Sequence, residues 1–217
     1  MLSQKKEIFN MRMRKKKNGE ARINACSEYL IKSLDDEKLS QMLPAELEIG
    51  CGKGRFICET AKSNPDKKYI AVELVTDALI TALENAAEEE IPNLKFINVN
   101  AKELGSYFKK GDIKVIYLNF SDPWPKSRHA KRRLTYRTFL DVYKQILPDD
   151  GMICFKTDNR PLFDFTLEEF KECGWRVEDV TFDLHSSKFN EGNIMTEYEK
   201  AFSEKGVPIN RLVAYVK

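Results

Sequence analysis

At 217 residues, 42% apolar and 32% charged, the chain has an ordinary globular composition with room for one substantial core, so one α/β domain with extensions is expected rather than two domains. It contains no run of 18 apolar residues and its first residues lack the apolar segment of a signal peptide, so no membrane partner and a cytoplasmic location are expected. The net charge of +2 conceals two basic segments: residues 1–22 carry eight Lys/Arg against two Glu, residues 126–137 carry six and no acid, and the remainder carries a net −10. An acidic body with two concentrated basic segments is the footprint of a polyanion-binding protein, with nucleic acid the favoured partner.

The five cysteines, Cys26, Cys51, Cys58, Cys154 and Cys173, show no CxxC spacing, and the two histidines, His129 and His185, lie far apart. Neither a metal site nor a disulfide framework is indicated, and free, mostly packed thiols are expected.

Residues 1–40 read as a basic N-terminal extension, partly helical or mobile, and residues 41–217 as the α/β domain. The domain opens with a strand at Leu47-Glu48-Ile49 that runs into Gly50-Cys51-Gly52-Lys53-Gly54. A helix follows from about Arg55 and stops near Asn64-Pro65, because proline cannot continue it. Tyr69–Val72 is the second strand, ending at Glu73; Ala78, Leu79, Ala82, Leu83, Ala86 and Ala87 then recur at helical spacing. Phe96–Val99 is a third strand ending at Asn100, and Val115–Leu118 a fourth that delivers the segment Asn119 to Arg133. A helix from Tyr136 to Leu147 closes at Pro148; a fifth strand, Met152–Phe155, ends at Thr157-Asp158; a helix spans 161–172; two last strands cover 177–182 and 211–216. Strands separated by helices of this length require a mostly parallel, doubly wound, Rossmann-like sheet, here of about seven strands.

Three features carry chemistry. Gly50, Gly52 and Gly54 stand between a strand and a helix, where close backbone approach to a ligand requires residues without Cβ. Glu73 lies 23 positions after Gly50, near the spacing at which a carboxylate takes ribose hydroxyls. The loop Ser121-Asp122-Pro123-Trp124-Pro125-Lys126 is stiffened by its prolines and lies beyond a strand's carboxyl end, where α/β proteins bind ligands. A dinucleotide would bring a pyrophosphate to the helix N-terminus. S-adenosylmethionine instead carries a sulfonium and an ammonium group, and the acidic rim of Glu48 and Asp122 favours it. Asn100 either meets the adenine edge through its amide or caps the helix beginning at Ala101.

With these residues in place the sequence resembles class I S-adenosylmethionine-dependent methyltransferases, and more narrowly the bacterial tRNA (guanine-N7)-methyltransferase family. The resemblance rests on Glu48 to Gly54, on Ser121 to Lys126 with the tail Arg128-His129-Ala130-Lys131-Arg132-Arg133, on Thr157-Asp158 and on Thr196-Glu197-Tyr198-Glu199. Many relatives have proline where Ser121 stands, a change that removes no functional group. The resemblance implies that residues 41–217 form a class I methyltransferase domain, with the cofactor held by Glu48, Gly50, Gly52, Gly54, Glu73, Asn100 and Asp122. It implies guanosine contacts from Lys126, Asp158, Thr196, Glu197, Tyr198 and Glu199. RNA contacts would come from Arg128, His129, Ala130, Lys131, Arg132 and Arg133, and the target would be the variable-loop guanine at tRNA position 46. Read without the family, Asp158 is a turn residue ahead of Pro161, Thr196 and Glu199 form a capping box, and Tyr198 and Phe202 are packing partners.

Guanine N7 has an in-plane lone pair and attacks a methyl group without losing a proton, so alignment and charge stabilisation are needed rather than a general base. Asp122 is the expected catalytic residue, with Asp158 a second candidate for a carboxylate near the guanine. An exocyclic-amine methyltransferase would favour a second proline where Trp124 stands. A non-catalytic RNA-binding protein on the same fold and a small-molecule methyltransferase remain open, as do a monomer and a homodimer.

Overall fold

The structure, a computed structural model, describes residues 16–217. Its strands are Leu30–Ile31 (β1), Ala45–Ile49 (β2), Tyr69–Val72 (β3), Leu94–Ile97 (β4), Ile113–Asn119 (β5), Met152–Thr157 (β6), Arg176–Thr181 (β7) and Asn210–Tyr215 (β8). The helices among the described residues are Gly19–Ala25 (α1), Glu37–Met42 (α2), Arg55–Ser63 (α3), Thr76–Glu88 (α4), Leu104–Tyr107 (α5), Arg137–Ile146 (α6), Arg160–Glu172 (α7) and Glu197–Ser203 (α8). One sheet takes all eight strands in the order β1-β4-β3-β2-β5-β6-β8-β7. It is parallel through β6, and β8 runs antiparallel between β6 and β7.

Alternation along the strands sorts side chains onto two faces. Leu47, Ile49, Ile70, Val72, Ile116, Leu118, Ile153 and Phe155 pack with α6 and α7 in one apolar core. Tyr69, Ala71, Leu94 and Phe96 point the other way and pack with α3 and α4. The α4 stripe expected from spacing is buried at Ala78, Leu79, Ala82, Leu83 and Ala86, each leucine contributing roughly 1.5–3 kcal/mol. Its small residues allow close helix packing: a Cβ on Gly54 would come within 2.9 Å of the Ala82 Cβ, so glycine is required where α3 starts.

Two readings of the sequence change. The sheet has an eighth strand inside the segment expected to be an extension: Leu30 and Ile31 pair with Phe96 and Ile97, and Arg22 on α1 forks onto Glu84 of α4 at 2.6 and 2.7 Å. A two-residue edge strand is too short to show a period of two, so periodicity could not reveal it. The expectation for residues 1–15 lies outside the described residues. The third expected strand, Phe96–Val99, is shifted to Leu94–Ile97, because the Asn98 amide donates to the Glu73 carbonyl at 2.6 Å instead of continuing the ladder.

The chain runs from β2 outward through β3 to β4, then returns to β5 on the other side of β2. The reversal opens a crevice above the carboxyl ends of β2 and β5, where doubly wound sheets bind ligands. No helix among the described residues is long and apolar enough to cross a membrane.

Candidate active site

The floor of the crevice follows from strand register. Since Leu47 and Ile49 face one core, Glu46 and Glu48 must face the opposite side of β2. Glu48 pairs in register with Tyr117, and Asn119 with Lys156, so β2, β5 and β6 present Glu48, Asn119 and Lys156 side by side. The Asn119 amide donates to Glu48 Oε1 at 2.9 Å. Glu48 is 2% exposed, and its Oε2 has no hydrogen-bond partner among the described residues. Burial lifts its carboxyl to about 7, against the pull of Asn119 and the Lys156 ammonium. A buried carboxylate oxygen without a partner is costly, and a cationic donor above it would relieve that cost.

Gly50, Gly52 and Gly54 all adopt positive φ, at 81°, 57° and 82°. A Cβ on Gly52 would meet nothing within 4 Å; the demand there is on backbone conformation, which turns the Gly52 N–H onto Glu73 Oε2 at 2.8 Å. The other oxygen of Glu73 accepts from the Val75 N–H at 2.8 Å. Burial raises the Glu73 carboxyl, and these backbone donors oppose the rise. Glu73 is thereby fixed in one rotamer with lone pairs left on each oxygen. Asn100 caps the short turn after β4, its Oδ1 accepting from the Lys102 N–H at 3.0 Å, and it also lines the cavity that Glu73 lines. The capping reading of Asn100 holds, and the residue stands at the edge of the large cavity.

Three cavities meet at Phe120. One of about 250 Å³ lies over Glu48, Gly50 and Gly52 and is closed by Thr196, Glu197 and Tyr198. The largest, about 610 Å³, is lined by Gly50, Glu73, Val99, Asn100, Asp122 and Trp124 among others. The third, about 180 Å³, lies between Asp122, Pro123, Asp158 and Tyr198. Asp122 is exposed and borders the second and third. The loop that carries it is strained, with φ of 51° at Phe120 and 40° at Trp124. Bulky residues rarely take such values, and each costs on the order of 1–3 kcal/mol.

The opposite wall is the segment before α8. Thr196 caps that helix, its Oγ1 accepting from the Glu199 N–H at 2.9 Å, as the sequence pattern suggests. Glu199 is fully enclosed: Oε2 accepts from Lys156 Nζ at 2.7 Å and Oε1 from the Asn193 amide at 2.8 Å. Burial lowers the Lys156 ammonium, and Glu199 opposes that shift. Of residues 196–199, Glu199 is the one turned into the scaffold. Glu197 is exposed and pairs with Lys53 at 3.3 Å. Tyr198 packs between Phe120, at 5.1 Å between ring centroids, and Phe202, at 4.2 Å and stacked. Burial and the neighbouring Asp158 push its hydroxyl up to about 12.

In the basic segment, Lys126, Arg128, Lys131 and Arg132 are exposed, whereas His129, Ala130 and Arg133 are partly covered. His129 meets the Trp124 ring edge-on at 5.8 Å, and the Arg132 guanidinium lies 4.8 Å from that ring. Sequence reasoning missed Asn119, Phe120, Lys156 and Asn193. The first and third were accessible: Glu46/Glu48, Tyr117/Asn119 and Cys154/Lys156 alternate with apolar residues in three adjacent strands, the pattern of a polar sheet face.

The chain matches the putative methyltransferase family over residues 22–212. It is 48% identical over 207 residues to the tRNA (guanine-N(7)-)-methyltransferase of Geobacillus sp. (strain WCH70), covering 93% of this chain and 94% of that protein. It is 46% identical over 211 residues to the protein of the same name from Streptococcus uberis, covering 94% and 100%. Among solved structures, its fold is similar to the 16S rRNA methyltransferase KamB, with a TM-score of 0.65 at 12% identity over 85% of this chain and 95% of that one. It is also similar to a SAM-dependent methyltransferase from Aquifex aeolicus, with a TM-score of 0.55 at 14% identity over 93% and 100%. At such identities these structures speak for the fold alone.

Proposed function

The chain belongs to the tRNA (guanine-N(7)-)-methyltransferase family and methylates N7 of a guanine in tRNA; we propose that the target is the variable-loop guanine at position 46 and that the three cavities divide the work of the reaction. The observation that carries the division of cavities is the buried Glu48 Oε2, without a hydrogen-bond partner among the described residues, beneath the glycine loop. The floor fits S-adenosylmethionine: Glu48 would hold its cationic end, Glu73 its ribose hydroxyls, and Val99 and Asn100 its adenine. Bound there, it supplies an electrophilic methyl group carried on sulfur.

The 180 Å³ cavity takes the guanine, with Asp122 and Asp158 offering acceptors to N1–H and the 2-amino group. That would leave the N7 lone pair free of protein donors and open to the methyl carbon, with the carbon–sulfur bonding pair staying on sulfur. Positive charge grows on the purine, and the Asp122 carboxylate stabilises it. Phe120 and Tyr198 shape the passage between cavities. Lys126 and the exposed cations after it hold phosphates, and a variable-loop guanine must leave its tertiary contacts to enter.

Incubating the protein with unmodified bulk tRNA and labelled methyl donor, then analysing nucleosides, should yield 7-methylguanosine. A transcript with guanine 46 replaced should remain unmethylated. Methylation of that transcript at wild-type extent would reject the position.

A further inference from the structure

Arg133 stands in the basic segment but its head group is turned inward. Its Nε donates to the Pro123 carbonyl at 3.0 Å and its Nη2 to the Trp124 carbonyl at 3.1 Å. The guanidinium lies 4.2 Å from the Phe165 ring on α7, and Phe165 is itself stacked on Tyr136. Two successive carbonyls of the Asp122 loop are therefore tied to the helix layer by one planar group. Those carbonyls border the residue held at φ 40°, a conformation a tryptophan leaves unless its surroundings fix it. Arg132 and Lys131, by contrast, remain exposed.

Building on the reaction proposed above, we infer that Arg133 is a positioning residue for methyl transfer rather than an RNA contact. It fixes the Pro123–Trp124 peptide, and with it the placement of Asp122 one residue upstream and of the Trp124 wall of the large cavity. The role needs a planar fork that donates to two acceptors while sitting over an aromatic ring. A lysine ammonium has the same charge but not that geometry. Charge and shape can therefore be separated in one substitution.

Arg133→Lys should lower turnover at saturating tRNA and donor by tenfold or more, since small misplacements of reacting groups are expensive in rate. Its tRNA affinity and the slope of log K against log salt should match wild type, while Lys131→Ala should weaken binding and flatten the slope. Phe165→Leu removes the stacking face without touching charge and serves if Arg133→Lys does not fold. It too should lower turnover with tRNA affinity unchanged. Turnover within twofold of wild type in either folded variant overturns the assignment. A wild-type protein that forms no 7-methylguanosine would instead reject the reaction itself, so the two failures are distinguishable.

Discussion

The floor of the site and its rim are charged in opposite senses and by opposite means. The floor is negative and dry: Glu48 and Glu73 are buried at the ends of neighbouring strands, with their positions fixed by register and by backbone N–H groups. The rim is positive and wet: Lys126, Arg128, Lys131 and Arg132 are exposed on a short turn. Burial makes a charge sensitive to pH, because the ionised form has lost its solvent. Exposure makes a charge sensitive to salt, because counterions screen it. The floor should therefore respond to pH and hardly to salt, and the rim to salt and hardly to pH.

Asp122 tests the boundary, since it is exposed like the rim but faces the cavity that Glu73 lines. Asp122→Ala should lower single-turnover methyl transfer by on the order of 10²–10³, with tRNA affinity changed far less. Asp122→Asn keeps the shape and one acceptor, so near-normal turnover in that variant would show that its charge does not stabilise the purine cation.

Glu73 tests the floor directly. Its loss would remove the proposed charge-assisted contact to the ribose and should cost about 1.5–3 kcal/mol, or roughly ten- to a hundredfold in donor affinity. Calorimetry on Glu73→Ala at low and high salt should give the same ratio to wild type at both. Wild-type affinity, or a ratio that collapses in salt, would break the contrast between floor and rim.

Glu48 provides the pH arm. Its carboxyl stands at about 7 in the folded protein, above its ordinary value. A raised carboxyl contributes stability that is fully present below the unfolded value and is lost as pH rises through about 7. Glu48→Gln should therefore raise the melting temperature of the ligand-free protein at pH 8 and leave it near wild type at pH 5. Donor affinity should run the other way: in wild type it should strengthen by up to about tenfold from pH 6 to 8 as Glu48 ionises, and in Glu48→Gln this dependence should vanish. A pH-independent wild type would remove Glu48 from cation recognition.

The same division explains what the sequence made legible. Glu48, the glycines and Glu73 follow local rules, a strand end and a tight turn, and local rules survive in a linear reading. The partners that give them their properties do not: Asn119 reaches Glu48 across 71 residues, and Lys156 reaches Glu199 across 43. Strand order decides those contacts, and β8 entering between β6 and β7 is not written in periodicity. In the basic segment composition was visible but direction was not. Arg133 and Lys131 are two residues apart and equally charged, yet one turns to backbone carbonyls and the other to solvent.

Lys131 therefore gives the smallest expected effect and the sharpest contrast with the floor. It is exposed on the turn that follows Lys126, and its proposed contribution is the release of counterions from one phosphate. Lys131→Ala should flatten the slope of log K against log salt by ~0.7–0.9, the value for one contact, which amounts to about threefold in the relative affinities between 50 and 200 mM salt. Donor affinity should be unchanged, because the charge lost is screened from the buried carboxylates of the floor. Filter binding of tRNA across four salt concentrations, with donor calorimetry in parallel, resolves the two. An unchanged slope would return Lys131 to the solvated surface, and a change in donor affinity would mean that rim and floor are electrostatically coupled after all.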